Sequence, residues 1–317
     1  MKTNLEYPKY QFKHGLMFHH FHNNKFLKSQ GSITKNDLIN IIEYVGPKNI
    51  LSAELWLEKF LKNQLNPSEV CITFDHGLKC QFEIALPILD SYNLTAFWFV
   101  YSSPLDACFD TLEIYRDFRM KRFKNIEKFY QFFFDEVKKS QFADIIESGL
   151  EKFNSSNFLK NMSFYTENDR KFRYIRDKIL SESDYFLIMD NILKSFKINP
   201  KKLTKELFMN NNDLKTLKSK NHIIGLHSYS HPTVISNLSF EKQKEEYQKN
   251  KNHLENIIGE INTMSHPSNS YDKNTLNVLK ELGIKAGFIA DMNSYNSSLE
   301  IPRQDHTNIM NMLKKSS

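Results

Sequence analysis

The stretch EVCITFDHGLKCQFEIALPILDSYNLTAFWFV, residues 69–100, decides the fold. EVCITF (69–74) is a continuous apolar run, the pattern of a strand covered on both faces. Ile84, Ala85, Ile88 and Leu89 then recur at helical spacing, and LTAFWFV (94–100) is a second buried-type run. Strand, helix and strand in that order make a βαβ unit, the building block of parallel sheets and barrels.

The same rhythm extends outward in both directions. GLMFHHF (15–21) reads as the first strand. Thr34 with Asp37 forms a capping-box pattern before Leu38, Ile41, Ile42 and Val45, and Gly46 stops that helix. Downstream, HIIGLH (222–227) is a strand, a helix runs from about Ser239 to Ile258, INTMSH (261–266) is a strand, a further helix ends at Gly283, and KAGFIA (285–290) is a strand. Between about residues 105 and 218 the rhythm lapses into charged, aromatic, helical sequence such as LEIYRDFRMKRFKNIEKFYQFFFDEVKK. The expected organisation is one domain over residues 1–317 with a helical insertion at about 105–218. Within it, Arg116, Arg119 and Arg122 beside Phe118, Phe123, Phe129 and Phe133 suggest either a basic-aromatic surface or aromatic core, and helical spacing favours core.

Composition narrows the function classes. The chain has 317 residues, a net charge of +6, 26 Phe and 14 Tyr, which describes an aromatic-packed globule. Its lysines are interleaved with Glu and Asp, so the charge reads as a solvated surface and not as a nucleic-acid footprint. No apolar run has the length of a secretory signal or a transmembrane segment, which gives an expectation of a cytoplasmic protein. Cys71, Cys80 and Cys108 lack CxxC spacing and are read as reduced thiols, neither a disulfide framework nor a thiolate zinc site.

Parallel α/β folds build their sites at the C-terminal ends of the strands. There the sequence places His19, His20 and His22 after the first strand, Asp75 and His76 after the 69–74 strand, His227 and His231 after the 222–226 strand, and His266 after the next. In LHSYSHPT (226–233), His227 and His231 stand at H-x-x-x-H spacing, which presents two imidazoles to one cation. Alone that spacing also fits two hydrogen-bonded loop histidines; an Asp/His pair at another strand end strengthens the metal reading.

These residues resemble the polysaccharide deacetylase family, also called NodB-like or carbohydrate esterase family 4. ITFDHG stands where the family has Thr-Phe-Asp-Asp-Gly, and HSYSH where it has His-Ser/Thr-x-x-His. MSHPSNSYDKNTLNVLKELGIKAGF (264–288) resembles its third segment, MFHHF its first strand, and IPRQDHTNI (301–309) an arginine-containing segment near its C-terminus. The resemblance covers all but the insertion. It implies a distorted (β/α) barrel of about seven parallel strands, a divalent metal, and hydrolysis of an N-acetyl or related acyl group from an amino sugar. By that match Asp75 is the general base, and His227 and His231 are metal ligands.

The sequence departs from the pattern in three places. His76 replaces the metal-binding aspartate, His266-Pro267 stands where many members have an arginine or aromatic before the proline, and no late Leu-His-Asp segment supplies a general acid. His306, next to Asp305, is the nearest candidate acid. Imidazole is itself a good ligand, so His76, His227 and His231 are expected to hold one divalent transition metal, zinc first, with cobalt or nickel as alternatives. His19, His20, His266, Arg303 and Asp305 are the candidate substrate-binding residues. The expected partner is an amino sugar, nucleotide- or lipid-linked, on the route to a surface polysaccharide such as O-antigen or capsule. The competing readings are an inactive carbohydrate-binding relic on the same barrel and a hydrolase of a formamide or cyclic amide.

Overall fold

The computed structural model describes residues 7–106, 111–159, 165–293 and 297–314. Seven short strands form a parallel sheet: β1 (Gly15–Phe18), β2 (Cys71–Asp75), β3 (Ala96–Val100), β4 (Ile223–Leu226), β5 (Thr263–Ser265), β6 (Ala286–Phe288) and β7 (Arg303–Asp305), ordered β6-β5-β4-β3-β2-β1-β7. The two edges meet through a parallel bridge between Phe288 and Ile301. Ile289 N–H donates to the Ile301 carbonyl at 2.9 Å and Ile301 N–H to the Gly287 carbonyl at 2.8 Å. The result is the nearly closed, distorted (β/α) barrel that the motifs imply.

The chain divides into two compact units, Met1–Phe109 with Thr204–Ser317, and Asp110–Leu203. The first carries the barrel with α1 (Lys35–Val45), α2 (Ala53–Leu61) and α3 (Leu86–Ser91). Described residues of the second are helical: α4 (Thr111–Arg122), α5 (Ile126–Lys138), α6 (Ala143–Leu150), α7 (Glu167–Tyr174), α8 (Glu182–Ser195) and the start of α9 (Pro200–Leu207). The first unit resumes with α10 (Asn211–Ser219), α11 (Phe240–Ile258), α12 (Lys273–Glu281) and α13 (His306–Lys314). The sequence reading ran the insertion to about residue 218, but Phe208, Met209, Leu214 and Leu217 are buried in the barrel's core cluster. A helix with a buried apolar stripe looks the same from sequence whichever core receives the stripe. Within the helical unit Phe118, Phe129 and Phe133 are at most 1% exposed, so these aromatics are core.

Local chemistry explains the elements that carry the site. The Thr34 hydroxyl accepts from Asp37 N–H at 3.2 Å while the Asp37 carboxylate accepts from Thr34 N–H at 2.7 Å, and α1 buries Leu38, Ile41, Ile42 and Val45 as its spacing predicts. Alternation along the strands separates two environments. Ile72, Phe74, Ala96, Trp98 and Val100 face the core shared with the helices, whereas Cys71, Phe97, Phe99 and Phe288 pack with Trp56 of α2 in a separate cluster. Gly225 lets Phe99 into that space, since a Cβ there would stand 2.7 Å from the Phe99 ring and from Thr263 Oγ1. Cys71 and Cys80 are buried and form no disulfide; Cys108 lies outside the described residues. Among the described residues no helix is long and apolar enough to cross a membrane.

His222, at the start of β4, is buried and accepts the Ala96 N–H on Nδ1 at 3.0 Å, so it joins β3 and β4 only as neutral imidazole. Burial lowers its pKa to about 4 from an ordinary 6.5, with Lys220 acting the same way against Asp90. The unfolded chain therefore binds this proton more readily than the folded one between those values, and stability falls as pH falls from about 6.5 to about 4. Urea midpoints of the metal-free protein across that window should show the loss, and His222→Gln should flatten the His222 share of it.

Candidate active site

The C-terminal ends of the strands gather the polar side chains. Asp75 closes β2 and points inward, with a side chain 3% exposed. Arg303, at the start of β7, clamps it with Nη1 2.6 Å from Oδ1 and Nη2 2.8 Å from Oδ2. Nη1 also donates to Thr73 Oγ1 at 3.2 Å and Nε to the Ile289 carbonyl at 2.9 Å, while Thr73 Oγ1 donates to the Leu16 carbonyl at 2.9 Å. Burial by itself would raise the pKa of Asp75. The Arg303 guanidinium, with His227 and His19 beside it, overcomes that and holds the carboxyl far below the usual carboxylate range.

Arg303 was expected to bind substrate; its side chain is fully buried and four of its five donors go to Asp75, Thr73 and the Ile289 carbonyl, so it positions the carboxylate. His266 was expected to do the same, yet it is 1% exposed, donates from Nε2 to the Leu299 carbonyl (2.8 Å) and stacks on Tyr271. It supports the loop after β5.

Three imidazoles converge. One ring nitrogen from each of His76, His227 and His231 lies within 4.8 Å of the others, and His227 and His231 are buried. The ring centroids stand 5.4 Å apart for His76 and His227 and 4.8 Å for the other two pairs. His227 Nδ1 meets the Ser265 carbonyl at 2.9 Å and Ser265 Oγ at 2.8 Å, while its Nε2 is buried with no hydrogen-bond partner. A buried nitrogen without a hydrogen-bond partner, on one of three imidazoles that converge, fits a divalent transition metal and its nitrogen-rich donor preference. Burial lowers the His227 pKa to about 3 despite the attraction of Asp75, so the ring is a neutral donor at neutral pH.

The backbone beneath these ligands is held in unusual conformations. His76 has φ +82° and is followed by Gly77 at +72°, while Ser228 and His231 have φ +61° and +55°. Non-glycine residues in this region cost about 1–3 kcal/mol each and persist only where neighbours over-determine them. Buried Gln81, on a π-helical turn over Gln81–Ala85, donates from Nε2 to the His19 carbonyl at 2.7 Å and the Asp75 carbonyl at 2.6 Å, tying two strand exits together. From α11, Asn250 Oδ1 accepts the His227 N–H at 3.0 Å. Glu246, one turn earlier, accepts the N–H groups of Tyr229 and Ser230 at 3.1 and 2.8 Å. Ser228 Oγ accepts the His231 N–H at 3.1 Å.

The remaining predicted residues separate by exposure. His19 keeps 26% of its side chain accessible, with Nε2 3.7 Å from Asp75 Oδ2 and its ring 5.1 Å from that of His76. Burial pulls its pKa well below the ordinary value, and Asp75 opposes the shift. His20 lies 6.0 Å from His76, ring to ring. His306, expected as the acid, is 3% exposed, stacks on Phe18, and has Nδ1 and Nε2 at 3.2 and 2.8 Å from the carbonyls of Met17 and Gly31. Both its ring nitrogens are engaged by backbone carbonyls, although one of them lies within 4.8 Å of ligand atoms of His19 and Asp305. Asp305 accepts the Thr307 N–H at 2.7 Å and so caps α13. Ser265, Gln81, Asn250 and Glu246 were not foreseen. The available signal was faint: a serine in the apolar run INTMSH, and a Glu and an Asn four residues apart on α11.

A family model described as polysaccharide deacetylase matches residues 185–287, which include the HSYSH and MSHP segments. No curated protein sequence matches the chain. Among solved structures, it is similar to the Streptococcus pyogenes deacetylase PplD in complex with acetate, at 14% identity over 94% of this chain and 96% of that one, with a TM-score of 0.54. A de-N-acetylase from Aggregatibacter actinomycetemcomitans gives 14% identity over 96% and 99% of the two chains with a TM-score of 0.55, and IcaB from Ammonifex degensii gives 12% over 92% and 91% with 0.51. At these identities the likeness is one of fold. Over residues 185–287, about a third of the chain, the sequence is thus similar to polysaccharide deacetylases, and over nearly its whole length it shares their fold.

Proposed function

We propose that this chain removes an N-acetyl or related acyl group from an amino sugar at a divalent-metal site made by His76, His227 and His231, with Asp75 as the general base. The observation that carries the reading is the partnerless, buried Nε2 of His227 among three converging imidazoles, beside a carboxylate held ionised by Arg303. A divalent metal bound there supplies Lewis-acid polarisation of the acyl carbonyl and acidifies the attacking water.

The chain's own residues supply the proton path. Oδ1 of Asp75 accepts from both Arg303 and Ser265, whereas Oδ2 accepts from Arg303 alone and faces His19 at 3.7 Å, so Oδ2 takes the proton from the water as its oxygen bonds to the acyl carbon. A carboxyl with so low a pKa gives that proton up readily, and His19, neutral at rest, receives it. His19 then delivers it to the amine nitrogen as the C–N bond breaks, releasing acetate and the free amino sugar. The preferred substrate in this reading is a nucleotide- or lipid-linked precursor of a surface polysaccharide. A panel of carrier-linked sugars, free sugars and assembled polymer, assayed for acetate, formate and ring opening, selects among these and the non-sugar amides.

Metal analysis of the protein purified without chelator should find one equivalent of zinc, cobalt or nickel, lost in His76→Ala, His227→Ala and His231→Ala. A metal-free parent with full amidase activity would overturn the site. Asp75→Asn should keep the metal and lower kcat by about 10²–10⁴-fold, the usual contribution of a positioned base; unchanged turnover would remove Asp75 from that role.

The acid assignment is tested by contrast. His19→Ala should lower kcat by about 10²-fold or more at unchanged melting temperature. His306→Ala should instead lower stability by about 1–3 kcal/mol by freeing buried carbonyls, with turnover of the folded fraction largely kept. The reverse pattern would return the acid role to His306.

A further inference from the structure

We propose that Ser265 is a positioning residue through which the ionised Asp75 carboxylate fixes the tautomer of His227. This rests on the reading of Asp75 as base and His227 as ligand. Ser265 is completely buried at the end of β5, and its Oγ stands 3.1 Å from Asp75 Oδ1 and 2.8 Å from His227 Nδ1.

The direction of each hydrogen bond follows from the chemistry of the groups. Arg303 keeps Asp75 ionised, and an ionised carboxylate only accepts. The hydroxyl has one proton, so that proton goes to Oδ1. Only lone pairs of Oγ then face His227, and Nδ1 must carry the hydrogen between them. The Ser265 carbonyl, 2.9 Å from the same nitrogen, makes the same demand. Nε2 is therefore left with its lone pair, the form a metal requires, in a residue that has one ring nitrogen within 4.8 Å of ligand atoms of His76 and His231. The opposite tautomer would turn a nitrogen lone pair onto two oxygens and would bury an N–H at Nε2, where no acceptor lies. A single hydroxyl thus makes the charge on the base and the donor form of the ligand interdependent, although their backbones come from β2 and β4.

The test uses the full chain, stripped of metal and titrated with Co²⁺, with the visible absorption of the bound ion as readout. Ser265→Ala should bind Co²⁺ about tenfold more weakly, at the low end of such outer-sphere effects because the carbonyl contact remains. Ser265→Thr, which keeps the hydroxyl, should restore the parent affinity. Nitrogen-15 spectra of the metal-free parent should show His227 as the Nδ1–H tautomer. Parent affinity in Ser265→Ala overturns the proposal, and so does an Nε2–H tautomer in the parent; the latter measurement stands even if Ser265→Ala fails to fold. A parent that binds no Co²⁺ overturns both this role and the metal site. A parent that binds Co²⁺ yet releases acetate from no sugar leaves the role of Ser265 intact and overturns the deacetylase reading alone.

Discussion

The ion pair between Arg303 and Asp75 is the interaction on which the rest of the barrel's upper half depends. Both side chains are essentially out of solvent, and a lone buried charge of either sign is untenable there. The fork geometry satisfies both carboxylate oxygens at once, and the spare donors of the guanidinium reach Thr73 and the Ile289 carbonyl. One side chain therefore binds the second strand to the exit of the sixth from its place on the seventh. Breaking such a pair from one side is destabilising by about 3–5 kcal/mol in general, because the other charge is stranded. The pair consequently couples closure of the barrel to the ionisation of Asp75.

Around that pair the alternation of strand residues sets a gradient. Cys71, Thr73 and Asp75 share one face of β2, and Phe97 and Phe99 share one face of β3, so successive steps of two residues climb from apolar packing to the polar site. The aromatic cluster of Phe97, Phe99, Phe288 and Trp56 fills its part of the barrel with no polar atom in need of a partner except the Trp56 indole, which donates to the Glu69 carbonyl. Above it, every loop that carries a candidate ligand departs from ordinary backbone geometry, and each departure is matched by a side chain from elsewhere. Gln81 holds the loops of His19 and His76, Asn250 and Glu246 hold the loop of His227 and His231. The strain and its supports occur together, as pre-organisation of a site requires.

What the sequence reveals follows from the range of the interactions. The βαβ rhythm, the capping box at Thr34 and the helix from Ser239 are local patterns, and the structure reproduces them. The convergence of His76, His227 and His231 was legible because parallel strands deliver their exits to one end, a property of topology that periodicity alone discloses. The role of Arg303 was not legible, since its partner lies 228 residues away and nothing near IPRQDH marks that arginine as buried. His306 misled for a related reason: a histidine beside an aspartate looks like an acid until the Met17 and Gly31 carbonyls are seen to occupy both its nitrogens. The helices before residue 218 carried the same ambiguity, because a stripe such as Leu214 and Leu217 names no recipient.

The histidine that stands in the family's aspartate position is best understood through charge. An aspartate donor would add a second carboxylate beside Asp75, which like-charge repulsion would disfavour in a buried site. With His76 instead, no second carboxylate is added at that position, and Arg303 already balances Asp75. The three imidazoles are neutral donors, so a dication held there would keep its charge and would have it available to polarise a bound carbonyl. The same neutrality makes affinity for the ion depend on donor orientation more than on attraction between charges. A site of this kind therefore relies on the devices found around it, the lone pair of His227 fixed by Ser265, the amide of Asn250 behind the same residue, and the left-handed backbone that turns His76 and His231 inward. An imidazole in place of a carboxylate would thus move the burden of holding a metal from electrostatics to geometry, and the geometry is where this chain has invested its buried polar groups.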